Sequence, residues 1–228
     1  MSDPCWCVEL GTRDFDDTWG LQKQLAAARQ RGDVPDVLLL VEHPPTYTLG
    51  RSGRSENLIA DRSKLAELGA ELVVTDRGGD VTFHGPGQIV GYPIVDLKRW
   101  HPDVHRYLRA LEEVNIRTIS EFGVAGFRKP GFTGVWHARG KLVAIGVRVS
   151  RWVTSHGFAL NVGTKLDYFN QIVPCGIVGS KVSSMEDVLG EPVDPALVRK
   201  ALARFFGAVF SRVVVEASET ELVSLASP

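Results

Sequence analysis

The chain has little of what would mark it as secreted, membrane-spanning or strongly charged. Its 228 residues include only three cysteines. An odd, small number argues against a disulfide framework and for a reducing compartment, so a cytoplasmic location is expected. No uninterrupted apolar run approaches the ~20 residues that cross a bilayer. Met1-Ser2-Asp3-Pro4-Cys5 has no basic segment followed by an apolar one, so no secretory signal is expected. Neither charge sign dominates, since 26 basic and 27 acidic side chains leave a net charge of −1. That balance gives no global pull toward nucleic acid or anionic lipid, and neither is expected as a partner. A chain this long buries a core without help from disulfides or a structural metal. With 44% hydrophobic and 23% charged residues, it has the composition of an ordinary globular protein.

What is present reads as neighbouring strands with separate helices. Asp17–Arg31 places Leu21 and Leu25 on one helical face, and Val37–Val41 is an apolar run of strand length. Pro44-Pro45 bars a helix after it. Arg51–Ser63 reads as a loop leading to a short helix near Lys64–Leu68, and Leu72–Thr75 as a strand. Val81–Phe83 is extended, Gly85-Pro86-Gly87 is a rigid turn, and Gln88–Leu97 is another strand. Asp103–Phe122 is the clearest helix, with Asp103 as N-cap and Gly123 as stop. Lys141–Ser150 and Thr154–Val162 read as a hairpin closed at Arg151-Trp152. Pro195–Phe210 is a second strong helix, and Val213–Glu216 a late strand. No internal repeat or low-complexity linker appears. The pattern predicts an α+β fold with a largely antiparallel sheet flanked by helices. It also predicts one domain over residues 1–228, with 190–228 as a small helix-strand extension.

Three features could carry chemistry. The first is in the hairpin, where Ala144 and Gly146 share one face of the first strand and Ser155, Gly157 and Ala159 one face of the second. If the two faces coincide, they form a patch free of bulk that seats a slim linear group such as an acyl chain. The competing reading is close packing of another element. The second is the run Arg77-Gly78-Gly79-Asp80-Val81-Thr82-Phe83-His84 with Gly85-Pro86-Gly87-Gln88 behind it. The glycines let backbone approach a ligand, Arg77 suits a carboxylate or phosphate, and His84 beside a fixed turn suits acid–base work. The run has no Gly-Lys-Ser/Thr and no G-x-G-x-x-G, so it is not a nucleotide-phosphate loop. A structural turn is its other reading. The third is Cys175 between Pro174 and Gly176, which present the thiol in a constrained loop. A lone cysteine is more often a small buried apolar residue. As a nucleophile it needs a nearby cation or base, because an ordinary thiol titrates near ~8.5. Lys141 and His84 are the candidates. Cys5 and Cys7, in a C-x-C at a terminus expected to fray, are too few for a zinc site and read as incidental thiols.

Together these segments resemble a known family. The runs Arg77–Gln88, Gly140–Arg148, Thr154–Val162 and Pro174–Ile177, in that order, are similar to the bacterial octanoyltransferases of lipoate synthesis, the LipB type. The resemblance covers roughly Val37 to Leu189. It implies the fold shared by biotin and lipoate protein ligases. It also implies transfer of an octanoyl group from octanoyl-acyl carrier protein to a lysine of lipoyl domains, in 2-oxoacid dehydrogenase complexes and the glycine-cleavage H protein. On that resemblance Cys175 holds the acyl thioester and Lys141 tunes it. The acyl-binding residues fall on Arg77 to His84, on Ala144, Ile145 and Gly146, and on Gly157, Phe158 and Ala159. No metal and no cofactor is implied, and a monomer is the default. The base that deprotonates the acceptor amine is left between Lys141 and His84. The rival readings are an ATP-dependent ligase on the same fold, an amidotransferase between lipoyl proteins, and a non-catalytic acyl-binding protein.

Overall fold

The computed structural model describes residues 3–173 and 181–226. Its centre is the apolar run seen in the sequence. Asp36–Glu42 forms β2, with Val37 to Val41 all buried because both faces of the sheet are covered there. A seven-stranded sheet builds around it from Pro4–Thr12 (β1), Gln88–Ile94 (β6), Val135–His137 (β7), Gly140–Ser150 (β8), Val153–Asn161 (β9) and Val213–Glu216 (β10). The spatial order is β10-β1-β2-β6-β9-β8-β7. Pairing is parallel at the β10–β1–β2 side and antiparallel from β2 to β7. Thr46–Leu49 (β3), Glu71–Val74 (β4) and Val81–His84 (β5) form a second, three-stranded sheet in the order β4-β3-β5. The fold is α+β with a mixed sheet flanked by helices.

Helices cover both faces of the large sheet. Phe15–Arg31 (α1) packs Phe15, Leu21, Leu25 and Ala28 against Val37, Leu39, Val90 and Ile94. On the opposite face Val104–Glu121 (α4) and Pro195–Phe210 (α6) pack Leu111, Val114, Leu202 and Phe206 against Leu38, Leu40, Phe158 and Leu160. Arg62–Glu67 (α2), Leu97–Trp100 (α3), Met185–Leu189 (α5) and Glu219–Ala226 (α7) are shorter. Asp103 caps α4 as expected, its carboxylate accepting the Arg106 N–H at 3.0 Å, and Gly123 follows the helix with φ 81°. Among the described residues no helix is long and apolar enough to cross a membrane.

The N-terminus corrects an expectation. Rather than fraying, β1 lies between β10 and β2, and Cys5 and Cys7 sit in the core. Burial pushes both thiols up, Cys7 to about 12. They are therefore packing residues that stay protonated and inert.

Two local features place the site. The hairpin turn at Arg151 and Trp152 has φ 51° and 70°, the pair of positive values a two-residue turn of this twist needs, and it fixes the register of β8 on β9. The turn between β5 and β6 brings Gly87 so close to Gly163 that an added Cβ would stand 2.6 Å from its carbonyl carbon. That contact seats the turn against the chain leaving β9, whose Val162 and Gly163 N–H groups donate to the Gly87 carbonyl.

Candidate active site

The two small-residue faces of the hairpin coincide. Ala144 pairs directly with Ala159, and Gly146 with Gly157, so all four side-chain positions share one face of β8–β9. Val90 of β6 extends this floor beside Ala159. A cavity open to solvent lies above it, about 780 Å³ including its mouth. Its roof is β5 and the segment before it. Gly78 donates its N–H to the Val147 carbonyl at 2.9 Å, and a Cβ on Gly146 would stand 2.8 Å from the Gly78 carbonyl. Gly157 likewise lies against β6, where a Cβ would be 2.1 Å from the Gly91 carbonyl. Close packing thus accounts for both glycines, and the open floor belongs to Ala144 and Ala159.

Of the expected ligand residues, Arg77, Gly79, Asp80, Val81, Thr82, His84, Ala144, Ile145, Gly146, Gly157, Phe158 and Ala159 line this cavity together with Lys141. Phe83 does not. It turns into the core of the small sheet and stacks on Tyr168 at 4.5 Å, as alternation along β5 requires. Gly78 bonds to β8 behind the wall.

Several lining groups have structural partners. Buried Arg77 donates Nε and Nη2 to the Thr48 hydroxyl, Nη2 to the Thr48 carbonyl and Nη1 to the Gly78 carbonyl. It therefore pins the roof to β3. The Asp80 carboxylate accepts the Arg54 N–H at 3.2 Å and the Asn57 amide, which holds the loop over residues 54–57. His84 is buried and bonds Gln88 through Nδ1 at 2.8 Å. Gln88 Nε2 donates to the Phe83 carbonyl and to Asn161 Oδ1, so its Oε1 accepts and His84 carries the proton on Nδ1. Asn161 in turn donates to the Ser183 carbonyl, and the Ser183 N–H bonds the Lys141 carbonyl at 3.0 Å. A buried polar chain thus runs from His84 to the strand of Lys141. Burial, the neighbouring His43 and Arg77 drive the His84 pKa well below the usual imidazole range, so its ring is neutral.

Three residues of the end wall were not read from the sequence. Phe15, Tyr92 and His156 close the cavity away from Lys141. Strand alternation would turn His156 away from Gly157 and Ala159. Its φ of 55° breaks the alternation and sets the ring beside Trp19 and Tyr92, with Nε2 on Asp76 at 2.8 Å. Asp76 also pairs with Arg148, which ties the roof segment to both hairpin strands. Behind the wall His43 accepts the Tyr92 hydroxyl on Nε2 at 2.9 Å and donates Nδ1–H to the Arg13 carbonyl. A positive φ and a proline-flanked turn leave no periodic signal, so only the residue types could have flagged these histidines.

Lys141 stands at the other end. Its N–H donates to the Lys181 carbonyl at 2.9 Å, and it forms an isolated parallel bridge with Val182. Cys175, and with it the Pro174–Ile177 motif, lies outside the described residues. The chain on either side of it is described. Val173 donates to the Asn57 carbonyl at 2.8 Å on one flank, and Lys181 bonds Lys141 on the other. Phe169 and Val182, beyond those two points, both line the cavity.

The model of the lipoyl protein ligase A/B catalytic domain matches residues 14–207. An octanoyltransferase of Geobacter metallireducens is 51% identical over 198 residues, covering 87% of this chain and 90% of that one. An octanoyltransferase of Solibacter usitatus is 49% identical over 206 residues, covering 90% and 93%. The chain belongs to the octanoyltransferases of this catalytic family. It is therefore an acyltransferase, and its octanoyl transfer is a step of lipoylation. Solved structures agree on the fold. The bipartite lipoate protein ligase of Thermoplasma acidophilum superposes with TM-score 0.75 at 18% identity, covering 98% of this chain and 91% of that one. A lipoate-protein ligase A bound with ATP gives 0.76 at 17%, covering 99% and 93%. The biotin protein ligase of Aquifex aeolicus gives 0.52 at 11%, covering 92% and 70%.

Proposed function

We propose that this octanoyltransferase takes its acyl group from octanoyl-acyl carrier protein, holds it as a thioester on Cys175, and delivers it to a lysine of a lipoyl domain. The observation that carries the reading is the cavity itself. It is a slot with an alanine floor that ends at Lys141, and Lys141 is hydrogen-bonded to the chain returning from Cys175. The four residue steps along β9 from Asn161, beside the Lys141 end, to Gly157, beside the end wall, span about 13 Å at ~3.3 Å per step. That length holds an extended eight-carbon chain.

In this reading the Lys141 ammonium favours the Cys175 thiolate, which attacks the carrier thioester carbonyl and expels the carrier thiolate. One thioester replaces another, so no nucleotide is needed. The lipoyl-domain amine then attacks the acyl-enzyme, the Cys175–acyl bond breaks, and an amide forms. Lys141, once it has given its proton to the departing carrier thiolate, takes the proton leaving that amine. His84 is the weaker candidate for this role, because burial lowers its basicity and its Nε2 faces the Thr48 hydroxyl at 3.4 Å. Backbone N–H groups flanking Cys175 stabilise the oxyanion; the Gly78 N–H is already taken by the Val147 carbonyl. The enzyme works in the cytoplasm as a monomer, without metal or cofactor.

The test is transfer without nucleotide. Purified protein, octanoyl-acyl carrier protein and a lipoyl domain, with ATP removed by apyrase, are expected to yield octanoyl-lysine on the domain. Product that forms only from free octanoate and ATP would make the protein a ligase instead.

A further inference from the structure

Lys141 is framed by residues that lie outside the motifs read from the sequence. Its Nζ lies 5.3 Å from the ring centroid of Trp136. Trp136 is nearly buried, on β7, and is held by reciprocal backbone bonds with Phe127 at 2.8 and 2.9 Å. The ladder between β7 and β8 shifts register between Val135 and Trp136, and Trp136 is the residue that pairs with Lys141. Gly134 closes the other side. Its φ is +128°, and a Cβ there would stand 2.5 Å from the Val143 carbonyl, 2.7 Å from Lys141 Cε and 3.4 Å from Nζ. The lysine stem therefore occupies the space a side chain would need.

Gly134 is itself anchored. Its N–H donates at 3.0 Å to Glu112, a fully buried carboxylate of α4. The other oxygen of Glu112 takes Arg109 at 2.6 Å and Arg128 at 3.1 Å. A buried charge with three donors is fixed in place, and it fixes the glycine. Among the described residues a second ammonium, Lys129, stands at the indole, its Nζ 4.7 Å from the ring centroid. An aromatic face attracts an ammonium and not a neutral amine.

We propose that Trp136 and Gly134 are positioning residues that hold the Lys141 ammonium at the acyl-transfer centre, with Glu112 fixing Gly134 from behind. The glycine gives the lysine stem its channel, and the indole face seats its charge. This rests on the reading of Lys141 as the partner of Cys175, and the experiment separates the two.

The readout is the pH profile of iodoacetamide alkylation of the native protein, with the modified peptide identified. Cys5 and Cys7 are buried, so the rate reports the Cys175 thiolate. Lys141→Ala is expected to move the midpoint to higher pH. Trp136→Leu is expected to move it the same way and to slow alkylation at pH 7 about fivefold, the scale of one ring–ammonium contact. Trp136→Phe, which keeps an aromatic face, should stay within about twofold of wild type. Gly134→Ala, whose Cβ displaces the lysine stem without touching the ring and also presses on the Val143 carbonyl, is a second route to the same shift, read beside a thermal melt that shows the variant folded. In a Lys141→Ala background neither substitution should shift the midpoint further. Wild-type profiles for folded Trp136→Leu and Gly134→Ala beside a shifted Lys141→Ala would overturn the positioning role alone. An undiminished shift in the Lys141→Ala background would also overturn it. An unshifted Lys141→Ala would remove the Cys–Lys reading and the positioning role with it.

Discussion

Filling the slot at Ala144 with a phenylalanine ring is expected to cut octanoyl transfer about 100-fold while leaving the fold intact. Ala144 is only half-buried and faces open space, with Ala159 directly across the ladder. A ring there enters the cavity rather than a packed core. It would keep the distal half of the acyl chain in water. Four methylenes at about 0.8 kcal/mol each come to roughly 3 kcal/mol, a factor of about 100 in binding. A butanoyl donor reaches less far and should lose less than about tenfold, so the ratio of octanoyl to butanoyl rates is the sensitive quantity. Initial rates with both carrier thioesters, beside a thermal melt of each protein, check this. Octanoyl transfer at the wild-type rate in Ala144→Phe would place the acyl chain somewhere other than between Ala144 and Ala159.

The second large effect concerns stability in mild acid. His43, His84 and His156 surround the end wall and roof, and all three have depressed pKa values. Burial is the main cause for each, with His43 lowered to about 4. The unfolded chain titrates near ~6.5, so below that pH the unfolded state binds protons that the folded state refuses. The stability these histidines contribute is therefore whole above about pH 6.5 and is lost as pH falls toward the folded values. Each histidine gives a slope of at most about 1.4 kcal/mol per pH unit. Between pH 6.5 and 5 the loss should fall between about 2 kcal/mol, if one histidine dominates, and about 6 if all three stay neutral. Asp76, also depressed, loses its contribution only near and below the usual carboxylate range, outside this window. Urea unfolding at pH 7.5 and pH 5 measures the difference. A midpoint that is flat or rises toward acid would contradict the buried, neutral state of this cluster.

Local signals carried most of what the sequence revealed. The cap at Asp103, the two-residue turn at Arg151-Trp152 and the alternation of small residues on β8 and β9 each depend on neighbours within a few positions. The register that makes Ala144 meet Ala159 follows directly from that turn. Distant pairings left no such trace. β1 looked like a loose end because its ladder partner β10 comes at the other end of the chain, and because Cys5-Trp6-Cys7-Val8 is apolar on both faces and shows no alternation. The cavity-lining segments were legible as motifs, yet the contacts of their members were not. Arg77 and Asp80 line the cavity, and their side chains also hold the roof to β3 and to residues 54–57. His156 escaped because a single positive φ reverses the face its position assigns. Trp136 and Gly134 escaped because they matter through Lys141 rather than through any pattern of their own.

The central claim is that Cys175 carries the octanoyl group between donor and acceptor. Its most direct test is mass spectrometry of the protein after incubation with octanoyl-acyl carrier protein alone, with the modified peptide sequenced. One octanoyl group is expected on the peptide that contains Cys175. It should be released by hydroxylamine as a thioester is, discharged when a lipoyl domain is added, and absent from Cys175→Ala. An octanoyl adduct that persists in Cys175→Ala, or full transfer to the lipoyl domain by that variant, would contradict it.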